Sequence, residues 1–220
     1  MQERAANLES YYQSLSRGPS ITGACCMHLP IGLNGKRILD IACRKGQGLL
    51  KLAEAAGKQG FVAGCDWRME YIAFASVLAS NEASSDSNLA PITVRTAYPE
   101  SLSSSFSLES FDVVYVNSIF NLFFDPRASL KEFLRVLQPG GILALDGLFS
   151  ETPKNDSTRE AGRAAGDAVD AAMSLNACCQ LLAEAGFELL DVQNFGLAKN
   201  EQGESTGAGA YLLRARKPVQ

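Results

Sequence analysis

The sequence predicts an α/β fold: a mostly parallel sheet with helices on both faces, finished by an antiparallel hairpin. Three observations carry this. From Lys36 to Leu145, short apolar β-branched runs alternate with stretches of helical spacing, the pattern of parallel strands joined by crossover helices. The last two apolar runs have no helix between them, so they pair antiparallel. At 220 residues, 46% of them hydrophobic, the chain is long enough for one full core.

In order, Leu8, Tyr11, Tyr12 and Leu15 fall at helical spacing, which predicts an amphipathic helix over residues 3–16. Arg17-Gly18-Pro19-Ser20 ends it. Residues 1–34 carry too little apolar content for a separate domain. They read as an N-terminal helix and lid segment before the main body, 35–220. Strands are expected at Arg37–Ile41, Phe61–Cys65, Ile92–Arg95, Phe111–Val116 and Ile142–Leu145. Helices are expected at Gly48–Ala56, stopped by Gly57, at Met69–Ser80, and at Pro126–Leu137, stopped by Gln138-Pro139-Gly140-Gly141. Asn81–Asn88 reads as a polar connection and Tyr98–Glu109 as a loop. Residues 150–167 read as a loop or mobile cover, and Ala168–Ala185 as a helix ending at Gly186. Phe187–Phe195 and Ala210–Arg216 form the hairpin, joined by a flexible Gly196–Gly209 loop.

The formal charge of −4 gives no basic footprint for nucleic acid. No apolar run approaches the roughly 20 residues of a membrane span. The opening MQERAANLES lacks the basic-then-apolar form of a secretory leader, so a cytoplasmic location is expected. The pattern does not indicate an oligomeric state.

The stretch Lys36–Gly48, KRILDIACRKGQG, organises the chain. A buried strand delivers Asp40, and a small-residue loop then leads to a helix N-terminus at Gly46 and Gly48. Glycines admit a ligand to the backbone, and the helix start offers unpaired N–H groups. In open sheets the ligand lies beyond the carboxyl ends of the strands where strand order reverses. That rule gathers Asp40, Asp66, Ala97 and Asn117. Asp66 suits two ribose hydroxyls, and Trp67 offers a flat face for a base.

These segments resemble the class I S-adenosylmethionine (SAM) methyltransferases. The string Asp40-Ile41-Ala42-Cys43-Arg44-Lys45-Gly46 is similar to their acidic-x-Gly-x-Gly-x-Gly motif, with Ala42 and Arg44 at two of the three glycine positions. Thr96-Ala97 falls where the family has an acid followed by Ala. FDVVYVNSIFN, residues 111–121, and Leu137-Gln138-Pro139-Gly140-Gly141 resemble later family segments. The resemblance implies a seven-stranded Rossmann-like methyltransferase sheet, SAM as cofactor, and a small-molecule methyl acceptor. It implies cofactor binding by Asp40, Ala42, Gly46, Gly48, Asp66, Trp67, Ala97 and Asn117. The G-x-G-x-x-G fingerprint of a dinucleotide site is missing. The substitutions at 42, 44 and 96 leave a second reading open, a methyltransferase-like protein that binds cofactor weakly or not at all and acts as a partner or regulator.

Tyr11-Tyr12 and Thr22-x-Ala24-Cys25-Cys26 further resemble the start of arsenite methyltransferases. That likeness implies thiolates at Cys25 and Cys26 facing a thiol or thiol-bound metalloid acceptor, with Tyr12 beside them. These three are the candidate catalytic residues. Soft thiolates suit a soft metalloid. The alternative is that Cys25-Cys26 is structural. The family's later cysteines have no counterpart here, so a three-thiol site is not expected. None of the six cysteines has CxxC spacing, and no resident metal is expected. Cys43 and Cys65 read as small buried hydrophobes, Cys178-Cys179 as packing on a helix face, and His28 as an isolated surface or packing residue.

Overall fold

The chain runs α1 (Gln2–Ser14), β1 (Arg37–Ile41), α2 (Gln47–Ala56), β2 (Phe61–Asp66), α3 (Met69–Ser85), β3 (Ile92–Thr96) and β4 (Phe111–Asn117). A short 3-10 turn at Phe120–Leu122 follows, then α4 (Pro126–Val136), β5 (Leu137–Ser150), α5 (Asp156–Ala165), α6 (Leu175–Ala185), β6 (Glu188–Lys199) and β7 (Ser205–Arg216). The structure is a computed structural model that describes residues 2–15, 27–85, 88–199 and 202–219. Seven strands form one sheet in the order β3-β2-β1-β4-β5-β7-β6. The first five strands run parallel, while β7 pairs antiparallel with both β5 and β6. This is the expected sheet with its terminal hairpin.

β1 is buried on both faces because its residues alternate between two cores. Leu39 and Ile41 join Phe133, Leu182 and Leu213 on one side, and Ile38 joins Leu49, Leu52 and Tyr115 on the other. Each such side chain contributes about 1.5–3 kcal/mol by leaving water. α2 lays Leu49, Leu52, Ala53 and Ala56 on the sheet. α4 begins where the Asp125 carboxylate accepts the Ala128 N–H at 3.0 Å, with Pro126 just inside, and buries Leu130, Phe133 and Val136. Strand order reverses between β1 and β4, each the other's neighbour, so the crevice opens above Asp40 and Asn117.

Several boundaries differ from expectation. α3 continues through Asn81–Ser85, a stretch with neither Gly nor Pro to stop it. Gln138-Pro139-Gly140-Gly141 does not separate α4 from a later strand. It lies inside β5 as an irregularity in the pairing with β4, between Phe111↔Leu137 and Val113↔Ile142. The expected cover at 150–167 contains α5, whose only buried residue is Gly162, so it shows no apolar stripe to read. Its start is set by Asn155, which accepts the Thr158 N–H at 2.7 Å. The last long helix begins at Leu175 rather than Ala168, because the Ser174 hydroxyl caps it. Residues 168–170 instead turn about Asp167, which accepts the Val169 and Asp170 N–H groups. The strands of the hairpin extend into the expected Gly196–Gly209 loop, with register shifts on either side of Leu197.

Candidate active site

The loop leaving β1 is built from alternating left-handed residues. Ala42 has φ 59°, Arg44 φ 51° and Gly46 φ 92°. These are the three positions at which the motif expects glycine. A side chain there costs about 1–2 kcal/mol, so Ala42 and Arg44 are held under strain. Backbone N–H groups make the holding contacts, two to carbonyls and one to a carboxylate. Cys43 N–H reaches Cys65 O at 2.9 Å, Gly46 N–H reaches Cys43 O at 3.0 Å, and Arg44 N–H reaches Asp66 Oδ2 at 3.1 Å. Gly46 also starts α2 against α3, where a Cβ would meet Ala75 at 3.1 Å. The turn keeps its shape although two of its glycines are gone.

Beyond this loop lies a cavity of about 350 Å³ lined by Asp40, Ala42, Arg44, Gly48, Asn117 and Ser118, with Met27 on one wall. Asp40 is 5% exposed, and among the described residues no donor meets its carboxylate. Burial, with Asp66 nearby as a second cause, pushes its acid up to about 8. Ser118 sits at φ 58° and donates its hydroxyl to Asn117 Oδ1 at 2.9 Å.

The other expected residues form a second group beside this cavity. Asp66 is buried, its two oxygens accepting the Arg44 and Arg68 backbone N–H groups, and burial raises its acid against those bonds. Ala97 N–H bonds Asp66 O at 3.1 Å. Trp67 does not present an open face. The Tyr12 ring of α1 lies over it at 4.3 Å, with Tyr98 5.5 Å from Tyr12 on another side. Tyr12 is fully buried and donates to Glu100 Oε1 at 2.8 Å. Beneath α1, Trp67 Nε1 and Glu100 Oε2 are buried and have no partner among the described residues. Cys25 and Cys26 lie outside the described residues. Cys43, Cys65 and Cys178 are buried, and burial pushes each thiol up, as small core residues behave.

Sequence reasoning missed four residues. Glu100 supplies a buried acid four positions after Thr96, where the motif comparison looked for one. His28, expected to stand alone, is instead joined to Asp146 within β5, its Nδ1 2.9 Å from Asp146 Oδ1. Tyr115 donates to the same carboxylate at 2.9 Å. Only the register of the folded sheet places Asp146 opposite Asn117, at the last paired position of β4 and β5.

A family model described as a methyltransferase domain matches residues 33–199. The chain belongs to this family. The methyltransferase domain is 28% identical over 191 residues to an arsenite methyltransferase of Aquipseudomonas alcaligenes, covering 85% of this chain and 55% of that protein. It is 32% identical over 113 residues to the nocamycin O-methyltransferase of Saccharothrix syringae, covering 51% of this chain and 38% of that protein. The chain thus spans about half the length, or less, of these curated relatives. Its fold follows an arsenic(III) S-adenosylmethionine methyltransferase from Chlamydomonas reinhardtii, with TM-score 0.73 and 23% identity, covering 95% of this chain and 73% of that one. The class I methyltransferase resemblance, including its arsenite-related branch, is borne out, and SAM is the cofactor of the family.

The residues present fit that cofactor. It carries a sulfonium, an ammonium and two vicinal hydroxyls, and Asp40 is a buried carboxyl group that meets no cation or donor among the described residues. Asp66 keeps one further acceptor position on each oxygen for hydroxyls. Trp67 Nε1 and Glu100 Oε2, unpaired among the described residues, are a donor and an acceptor of the kind a purine edge satisfies.

Proposed function

We propose that this chain transfers a methyl group from SAM to a small-molecule acceptor in the cytoplasm. The observation that carries the reading is the Asp40 carboxylate, buried at a strand tip, uncompensated among the described residues, and facing a cavity of about 350 Å³. Asp40, Ala42, Gly46 and Gly48 hold the methionine part, and Asn117 stands beside the sulfonium. Asp66 takes the ribose, with Trp67 and Ala97 at the base. The cofactor supplies an electrophilic methyl group. The protein positions the acceptor about 3 Å from it and excludes water. α1 is the lid: Tyr12 covers the Trp67 face on which a base would stack, so α1 lifts to admit the cofactor and closes again.

The acceptor is a thiol or a thiol-bound metalloid such as arsenite. Support comes from the arsenite methyltransferase relatives and from the Tyr11-Tyr12 and Cys25-Cys26 strings. The test is a calorimetric SAM titration with Asp40→Asn alongside, followed by an acceptor screen headed by thiols and trivalent arsenic. Saturable binding that Asp40→Asn weakens at least tenfold is expected; no heat at millimolar SAM overturns the reading.

A second reading is favoured by the strain at Ala42 and Arg44, which removes two glycines from the cofactor turn. In it the chain binds SAM too weakly to turn over and serves as a binding or regulatory module. Binding that appears only in the Ala42→Gly, Arg44→Gly double variant selects this alternative.

A further inference from the structure

We infer that His28 and Asp146 form a general-base pair that takes the proton of a hydroxyl or thiol acceptor during methyl transfer, an assignment that rests on the methyltransferase reading above. Asp146 is 4% exposed and receives three donors. His28 Nδ1 lies 2.9 Å from its Oδ1, while the His28 backbone N–H at 2.6 Å and the Tyr115 hydroxyl at 2.9 Å share its Oδ2. A carboxylate only accepts, so Nδ1 carries the ring hydrogen and Nε2 is left as the bare acceptor of the neutral imidazole. Phe195 from β6 stacks on the ring at 3.6 Å and 9°, which fixes its plane. Among the described residues nothing bonds Nε2, and the side chain is 19% exposed. A base oriented by a third group, with its working nitrogen free, is the arrangement proton transfer requires.

The pair stands beside the cofactor cavity. Asp146 is the register partner of Asn117, and its backbone O accepts the Ser118 N–H at 2.7 Å. Asn117, Ser118 and Met27, the residue before His28, all line the cavity next to Asp40. His28 is bonded to β5, and Asp66 ends β2, on the other side of the β1–β4 pair. The backbone N–H bond alone would pin the segment entering β1. The ring bond adds a fixed tautomer that pinning does not need.

In the step, the acceptor O–H or S–H bond breaks as its oxygen or sulfur bonds the methyl carbon. The proton passes to Nε2, the pair of the old S–CH₃ bond stays on the cofactor sulfur, and Asp146 stabilises the imidazolium. Thiolate-bound trivalent arsenic attacks through a lone pair and has no proton to lose. His28 therefore matters for protic acceptors and not for arsenite. The titratable groups bonded in this assembly are Asp146 from β5 and Tyr115 from β4.

The test compares wild type with His28→Gln, which retains the backbone N–H bond to Asp146, and with Asp146→Asn. Each is given SAM with a phenol, an alkyl thiol, or arsenite plus excess thiol, in single turnovers across pH. On the phenol or thiol, His28→Gln falls about 10²–10⁴-fold and loses the acidic limb of the rate profile, while SAM affinity stays within about twofold. On arsenite the rate is unchanged. Independently of turnover, ¹⁵N NMR of the unliganded protein finds the hydrogen on Nδ1 of His28. A hydrogen on Nε2, a His28→Gln variant with wild-type rates on a protic acceptor, or a wild type that binds SAM yet methylates no protic acceptor each overturns the base assignment. A wild type that binds no SAM overturns the cofactor reading and this one together.

Discussion

Arg44 shows what a single backbone angle costs. Its φ of 51° belongs to glycine, yet the Asp66 carboxylate and the neighbouring turn hold it there. Arg44→Gly is expected to stabilise the fold by about 0.5–1.5 kcal/mol in urea denaturation, the relief of strain partly offset by the freer unfolded chain. A loss of stability would mean that the Arg44 side chain contributes more than its backbone costs. The motif comparison exposed this position from sequence, since a missing glycine is legible wherever the pattern demands one. His28 was not legible. Its partner lies 118 positions away, and only the folding of β5 beside β4 brings the two together.

At the scale of elements, α5 separates propensity from packing. Helix propensity alone favours Gly162→Ala by about 0.8–1 kcal/mol. In the structure, however, a Cβ at Gly162 would lie 2.4 Å from Ala171 N and 2.6 Å from Asp170 C, both backbone atoms. Gly162→Ala is therefore expected to destabilise by about 1–3 kcal/mol, read as a lowered Tm. A raised Tm would show that the turn at 167–171 yields freely. The same geometry explains why the sequence predicts a loop or mobile cover over 150–167: α5 docks through a glycine, and periodicity of apolar side chains is blind to that. α2 and α4 were legible because their buried faces are leucines and phenylalanine at helical spacing. α1 was also legible through Leu8, Tyr12 and Leu15, but not that Tyr12 would settle on Trp67.

For the whole molecule, Asp40 couples stability and cofactor binding to pH. Its acid stands near 8 in the fold and near 4 unfolded, so between those values the native state holds more protons. Stability of the unliganded protein therefore falls as pH rises from about 4 to about 8 and levels above; Asp66, also raised by burial, acts in the same direction. A cationic ligand needs the charged carboxylate. SAM affinity should rise about tenfold from pH 6 to pH 7, with uptake of the released proton by buffer visible in calorimetry. Asp40→Asn should flatten both curves. Curves that keep their slope in that variant would place the titration elsewhere.

Local pattern was enough to determine the alternation of strands and helices, the closing hairpin, the acid-bearing strand tips and the methyltransferase character, because each depends on residues near one another in the chain. Tertiary structure alone decided that the overwritten glycine turn keeps its left-handed path, that α1 lays Tyr12 across Trp67, and that His28 meets Asp146. Those outcomes depend on contacts between segments far apart in sequence, where burial and backbone hydrogen bonding override the preferences of any single residue.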